Sequence, residues 1–194
     1  MKKILFTLLT LVLFSTGEIK AQNSFFSLQY SMGFGMGDTK DFISPASFRG
    51  VGLEYRYFPE PAVGVGFETG YNLFYERKNY ATYTQGAESL SGVQYRYIHF
   101  VPVLAAVDYY FIPDTKFNPF AGLGLGTLFS EKTIEMGVYN NTTDDWQFSL
   151  RPEIGVLFAA PGFDLIVAGK YFTAFKANDN PAQNYFAINL GILF

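Results

Sequence analysis

The last eleven residues constrain the fold more than any other stretch, because their side chains alternate strictly between two faces. Residues 184–194 read N-Y-F-A-I-N-L-G-I-L-F. One face is wholly apolar and carries Phe186, Ile188, Leu190, Ile192 and Phe194. The other face is smaller and more polar and carries Tyr185, Ala187, Asn189, Gly191 and Leu193. A period of two predicts a β-strand, and this division of faces is typical of a strand between lipid and a barrel interior.

The same alternation recurs along the chain and predicts eight strands. They are expected at 25–36, 49–58, 62–75, 93–111, 118–130, 146–158, 163–175 and 184–194. Short turns at 59–61, 112–117 and 159–162 alternate with longer polar loops at 37–48, 76–92, 131–145 and 176–183. This rhythm predicts an all-β, eight-stranded antiparallel up-and-down transmembrane β-barrel over 22–194, with both termini on the periplasmic, short-turn side.

Composition narrows the alternatives. Hydrophobic residues make up 49% of the chain and aromatic residues 19%, yet no window reaches the length of a transmembrane helix. The chain has no cysteine, which excludes a disulfide scaffold and a thiolate metal site. The formal charge of −3 comes without a clustered basic face, so we expect no nucleic-acid partner. We also expect no cofactor.

Residues 1–21 have the pattern of a cleavable signal peptide. Lys2 and Lys3 precede an apolar run at 4–14, and small and polar residues follow up to a plausible cleavage position at Ala21. The alternative is a membrane anchor, but the run is too short to span a hydrocarbon core of ~30 Å.

Eight charged residues are predicted to face the barrel interior, four acidic and four basic. They are Glu54, Arg56, Glu68, Arg96, Asp108, Arg151, Glu153 and Lys170. Turning one basic side chain outward at the midplane would cost ~2–4 kcal/mol, whereas inside the barrel the charges can pair. The balance of signs favours a closed, hydrogen-bonded lumen, and the alternative is a narrow porin-like channel for small solutes.

The fourth strand is longer than a membrane crossing requires, and its phase decides where the single histidine points. If Arg96 and Asp108 both face inward, His99 faces outward; a bulge near Pro102 would turn it inward. A lipid-modifying enzyme would have to use His99, and no spacing identifies its partners. We therefore predict no catalytic residue and keep the enzyme as an alternative.

Two further patterns have an ordinary structural interpretation. The glycines at Gly122, Gly124 and Gly126 alternate on a strand, so they are expected to relieve crowding in a narrow barrel rather than to bind phosphate. Four loop acids offer oxygen ligands of the kind that calcium binds, but we expect them to be solvated turn residues and predict no metal site. These acids are Asp38, Asp41, Asp144 and Asp145.

The chain resembles the small outer-membrane β-barrel domain family, which includes porin-family and OmpA/OmpX/OmpW-like proteins of Gram-negative bacteria. The resemblance covers 25–194 and rests on N-P-F-A-G-L-G at 118–124, Y-Y-F at 109–111 and the aromatic end at Phe194. It implies insertion by the barrel-assembly machinery and contact with outer-membrane lipid and lipopolysaccharide. The implied assembly signal consists of Ile188, Leu190, Ile192 and Phe194.

The resemblance specifies architecture rather than activity. We expect a non-enzymatic integral outer-membrane protein with a structural role or a surface interaction through its longer loops, because function tends to lie on loops that a rigid scaffold holds. A surface or secretion partner would bind there.

Overall fold

A computed structural model shows that the chain forms a closed barrel. It describes residues 24–194 apart from 86–87, 114, 161 and 178–179. The predicted signal peptide, 1–21, lies outside the described residues. The strands are β1 Ser24–Met36, β2 Ser47–Glu60, β3 Val63–Gln85, β4 Glu88–Tyr110, β5 Phe117–Met136, β6 Tyr139–Ala160, β7 Phe163–Ala174 and β8 Gln183–Leu193.

Each strand pairs antiparallel with its neighbours in sequence, and β8 pairs with β1 to close the ring. Phe26 and Phe194 exchange backbone hydrogen bonds of 3.0 and 2.8 Å at the end where the short turns lie. The predicted fold, an eight-stranded up-and-down barrel, is confirmed. Closure pairs the backbone groups of the first and last strands, which an open sheet would leave unpaired.

The predicted phase of the strands agrees with their burial. On β8, Tyr185, Ala187 and Asn189 are buried, whereas Leu190 and Ile192 are 44% and 38% exposed. Strand β4 keeps one phase, and its register with β5 is unbroken from Tyr95↔Glu135 to Tyr110↔Phe120. The alternative of a bulge near Pro102 is therefore wrong, and His99 lies on the outer face.

The lengths of the strands differ from the prediction at the loop end. The expected loops at 76–92 and 131–145 are mostly continuations of β3, β4, β5 and β6. The second of these hairpins turns at 137–138, where Gly137 has φ 60°, and not at the Asn- and Asp-rich segment 140–145, which belongs to β6. Glycine adopts this left-handed backbone at no steric cost because it has no Cβ, so the turn forms there.

The four long strands form a sheet that extends beyond the rest of the barrel wall. Its lowest row is Leu73, His99, Glu131 and Asp144, which are paired in that order across the strands. We call the part from this row upward the projecting sheet; it comprises 73–85, 88–99, 131–136 and 139–144. The ladder of β3 with β2 ends at Gly50↔Asn72, and that of β6 with β7 ends at Ser149↔Ala174.

The first long loop folds back onto the barrel mouth instead of extending into solvent. It contains one short helix, α1 Asp38–Phe42, and we call residues 37–46 the lid. Thr39 and Ile43 in the lid are fully buried. Among the described residues, no helix has the length and apolar character needed to cross a membrane.

Candidate functional site

The interior of the barrel is divided into three layers along its axis. A cluster of buried charges occupies the middle, and two apolar clusters cover it, one toward the lid and one toward the short turns. An eight-stranded barrel is just wide enough for side chains to fill. The layers therefore decide whether a path through the barrel exists.

Seven of the eight predicted inward charges meet in the middle layer, which we call the charge belt. It consists of Glu54, Arg56, Glu68, Asp108, Arg151, Glu153 and Lys170. Each of these residues is at most 4% exposed. Their strands are β2, β3, β4, β6 and β7, so the belt links most of the circumference.

Each cation of the belt contacts at least two carboxylates. Lys170 Nζ donates to Glu68 Oε1 at 3.0 Å and also contacts Glu54. Arg151 Nη2 lies 2.6 Å from Glu68 Oε2, and its Nη1 contacts Glu153. Such pairing offsets the large cost of taking the charges out of water.

Arg56 completes the belt on the other side. Its Nε donates to Asp108, and its Nη2 lies 3.6 Å from Glu54 and 3.5 Å from Glu153. Backbone carbonyls of Tyr55 and Phe67 accept from its Nη1 at 3.2 Å. The belt thus holds four carboxylates against three cations, not the balanced set of the prediction.

Arg96 is the predicted lumen charge that lies elsewhere. It faces the mouth, where its Nη1 donates to the carbonyl oxygen of Phe42 at 3.0 Å and its Nε donates to Gln94 at 2.6 Å. Its guanidinium carbon lies 5.0 Å from the centroid of the Phe42 ring. Arg96 faces inward as its phase requires, but β4 carries it too far toward the loop end to reach the belt.

The alternating glycines of β5 make room for the belt. A methyl group at Gly124 would lie 3.0 Å from Nε of Arg151, and one at Gly122 would collide with the carboxylate of Asp108. The groups that need the space left by these two glycines are therefore Asp108 and Arg151. A side chain at either position would displace a charge from its partners.

The layer above the belt is aromatic. Tyr185 lies between Phe100 and Phe172, with ring centroids 4.9 and 4.5 Å away and planes 7° apart in both pairs. Phe74 makes edge contacts with Phe100 and Tyr185 at 5.7 and 5.8 Å. Together with the buried aliphatic residues around them, these rings form what we call the aromatic layer.

The layer below the belt is smaller and is centred on Tyr110, Phe120, Ile166 and Ala168. The rings of Tyr110 and Phe120 stack at 5.2 Å, and Phe58 packs against Tyr110 at 5.1 Å. We expected a polar interior, and the structure differs because apolar side chains from both ends cover the charges. Among the described residues, apolar side chains therefore lie on both sides of the charge belt along the barrel axis.

The lid closes the mouth over the aromatic layer. Ile43 packs within that layer, and Thr39 Oγ1 donates to Gln183 Oε1 at 3.0 Å while accepting from Asn184 N at 3.1 Å. Arg96 and Lys132 lie over the ring of Phe42 at 5.0 and 5.6 Å. Helix, hydrogen bonds and cation–π contacts fix the lid to β4, β5 and β8.

His99 sits on the outer face, at the base of the projecting sheet. Its Nδ1 is 2.6 Å from the hydroxyl oxygen of Tyr71, and its partner in the register with β5 is Glu131. Exposed tyrosine and tryptophan side chains, among them Tyr30, Tyr71 and Trp146, surround the barrel near this level. A histidine bonded to tyrosine in such a girdle fits the headgroup boundary of a membrane.

Sequence reasoning missed the aromatic layer and the lid. Phe74, Phe100 and Phe172 stand at inward positions of strands whose outward positions are also apolar. Counting every second residue along a strand from a charge predicted to face inward would have found them. On β4, for example, Asp108, Phe100 and Gln94 all lie at even positions and share one face. The lid has no such signal, because a five-residue helix depends on what it packs against.

No protein-family profile matches the chain, and no curated protein matches it. Among solved structures, Neisserial surface protein A aligns with a TM-score of 0.56 and 15% identity, covering 90% of this chain and 97% of that one. Ail, the attachment invasion locus protein of Yersinia pestis, aligns with a TM-score of 0.53 and 13% identity, covering 90% of this chain and all of the other. The same protein in complex with the heparin analogue sucrose octasulfate also gives 0.53, at 15% identity and 88% and 97% coverage.

This chain has the fold of the small eight-stranded outer-membrane β-barrels. The alignments cover 90% of this chain and 97% or more of these two neighbours. At this level of identity the likeness concerns the fold. What the barrel does has to be argued from its own lumen, lid and projecting sheet.

Proposed function

We propose that the protein is a non-enzymatic, non-conducting outer-membrane barrel that binds a partner at the cell surface through its projecting sheet. One observation carries the proposal: four strands extend past the rest of the barrel wall, while the lumen beneath is filled. A channel needs a water path, and the belt lies between two apolar layers. The working surface is therefore the outside of the loop end.

The edges of the projecting sheet favour an extended protein segment as the partner. Within the part of the chain that the structure describes, β3 above Asn72 pairs with β4 alone and β6 at 139–144 pairs with β5 alone, so each strand has one unpaired edge there. Unpaired edge groups are a template for strand addition. The exposed face adds anchors such as Tyr80, which is 73% exposed.

Crosslinking in the native host tests this partner. A photoreactive phenylalanine at Tyr80 is expected to give a specific adduct with another protein, and the same residue at Phe111, on the short-turn end, serves as the control. Shortening the β3–β4 hairpin should abolish adducts formed from exposed positions of β6 on the same sheet. The proposal fails if Tyr80 gives no adduct beyond that of Phe111.

We also propose that the loop end faces the outside of the cell and that both termini are periplasmic, with export directed by residues 1–21. The chain has no cysteine, so a single introduced thiol reports its own position. Val138→Cys, at a fully exposed hairpin tip, should react with an impermeant maleimide in intact cells, whereas Lys116→Cys should react only after lysis. The reverse pattern would exclude this orientation.

The non-enzymatic part of the proposal rests on the surroundings of His99. Its ring contacts Tyr71, and the outward neighbours in register on β3 and β5 are Leu73 and Glu131. No serine or cysteine nucleophile is paired with it in these ladders. Purified protein should release no fatty acid from phospholipid or lipid A vesicles; release that His99→Ala abolishes would show that the protein is a lipid-modifying enzyme.

A further inference from the structure

A groove opens at the loop end where β2 separates from β3. It has a volume of about 470 Å³, and its walls include Phe48, Arg49, Leu73, Tyr75, Glu76 and Arg77. The ladder of the two strands ends just below it, at Gly50↔Asn72. We call this the rim groove.

The rim groove carries two cations without acidic partners. Arg49 and Arg77 are both exposed, and neither makes an ion pair with any described residue. The guanidinium carbon of Arg49 lies 5.8 Å from the centroid of the Tyr75 ring. The acid in the groove, Glu76, is already engaged, because Lys78 Nζ lies 2.7 Å from its Oε1 and Ser44 N donates to its Oε2 at 3.2 Å.

A second groove lies below it on the lipid-facing wall. It has a volume of about 380 Å³ and is lined mainly by apolar side chains of β8, β1 and β2, including Leu28, Tyr30, Val51, Leu190 and Ile192. We call this the wall groove. On β2 the two grooves follow one another, since Val51 is the next outward residue below Arg49.

Tyr30 connects the two grooves. It lines the wall groove, and its hydroxyl donates to the carbonyl oxygen of Phe48 in the rim groove at 2.6 Å. Tyrosines at this level mark the boundary between headgroups and hydrocarbon. An apolar groove on the membrane side and a cationic groove on the headgroup side therefore lie on one strand, in the order in which a lipid presents its acyl chain and its phosphate.

We propose that these grooves bind one phosphorylated lipid of the outer leaflet, with a phosphate between Arg49 and Arg77 and an acyl chain in the wall groove. Arginine suits the phosphate because its planar guanidinium donates two parallel hydrogen bonds. The two grooves together favour a lipid over a soluble anion, which would have no use for the wall groove. The proposal rests on the proposed orientation of the barrel.

Native mass spectrometry of the full chain, refolded in detergent, tests the site without reference to orientation. Diphosphoryl lipid A is the probe, and we expect one tightly bound molecule per protein. Arg49→Gln with Arg77→Gln should weaken its binding at least tenfold, because two charge-assisted contacts are lost. Lys40→Gln with Lys176→Gln is the matched control, since it removes the same charge from exposed positions at the same end and should change binding less than twofold.

The hydrophobic half of the site has its own variant. Val51→Trp fills the wall groove and should also weaken lipid A binding about tenfold, whereas Val103→Trp, equally lipid-facing but outside both grooves, should have no effect. Arg49→Lys with Arg77→Lys keeps the charge and should bind between the wild type and the glutamine variant. This lysine variant replaces the glutamine variant in the test if the latter does not fold. Folding is judged by the mobility of the protein on a gel before and after heating.

Three results would overturn the proposal. Equal losses of lipid A affinity in Arg49→Gln/Arg77→Gln and in the control Lys40→Gln/Lys176→Gln would reduce the site to a general charge effect. Equal affinity for phosphatidylcholine, whose head group has no net charge, would show a groove that does not select an anionic head group. Displacement of lipid A by millimolar inorganic phosphate would show a site for the free anion.

Discussion

The ring of Tyr185 on β8 stacks on the ring of Phe172 on β7, with centroids 4.5 Å apart and planes 7° apart. The two residues are direct partners in the strand register, and Phe100 stacks on the other side of Tyr185. A stack of three rings from three strands crosses the lumen. The stack thus links β4 directly to β7 and β8, which the sheet connects only through the strands between them.

Removing one ring of this stack should destabilise the barrel strongly. Phe172→Ala is expected to lower the free energy of unfolding by about 3–5 kcal/mol, because the ring is buried and a cavity remains. Urea unfolding in phospholipid vesicles, followed by the fluorescence of the single tryptophan, Trp146, measures this. Tyr185→Phe, which keeps both stacks, is the control, and an equal loss in both variants would contradict a role of ring packing.

The charge belt should not tolerate the loss of a single cation. Lys170→Met leaves Glu54 and Glu68 without the ammonium group that contacts both, and we expect a loss of about 3–5 kcal/mol in the same unfolding experiment. Adding Glu54→Gln should restore part of the stability, because it reduces the excess of carboxylates over cations that the loss of Lys170 leaves in the belt. Lys116→Met, exposed at the short-turn end, should have little effect; a double variant less stable than the single one would contradict the pairing.

Neither the intact barrel nor a barrel without its lid should conduct ions. Replacing residues 37–46 by a short turn removes Ile43 but leaves the belt, the lower apolar layer and the rings of the aromatic layer, so the lumen stays filled. Planar-bilayer recordings of the two proteins should show no steps of current. Steps in the lidless protein alone would mean that the lid, and not the layers beneath it, closes the lumen.

The lid should open when its buried anchor becomes polar. Ile43→Ser removes a fully buried aliphatic side chain, so trypsin should cut after the exposed Lys40 about tenfold faster or more. Mass spectrometry of the fragments locates the cut. Val138→Ser, at an exposed hairpin tip, should leave the rate unchanged, and an unaltered rate in Ile43→Ser would show that the lid is held by other contacts.

The sequence predicted the barrel and the direction of most side chains, because a period of two is imposed by the strand itself. It predicted the strand lengths poorly at the loop end. Thr142, Thr143 and their neighbours suit a solvated strand as well as a loop, so composition does not separate the two. The turn lies at Gly137, although the Asn- and Asp-rich segment that follows has residues more typical of turns.

The candidate site was predictable only in part. Charges at inward positions must find partners, which is why Glu54, Arg56 and Lys170 meet as their phases imply. The separation of Arg96 from them depends on strand tilt and register, which one chain's alternation does not reveal. The stacking of Tyr185 between Phe100 and Phe172 likewise depends on which strands face each other across the lumen.

The charge belt has a consequence for how the barrel is assembled. Its members come from five strands, and a slip of one residue in any of these would turn a charge out of the lumen and into hydrocarbon. Correct alignment is the arrangement in which all seven groups find each other. Any other register separates a charge from its partners, so the belt favours the observed pairing of the strands over slipped ones.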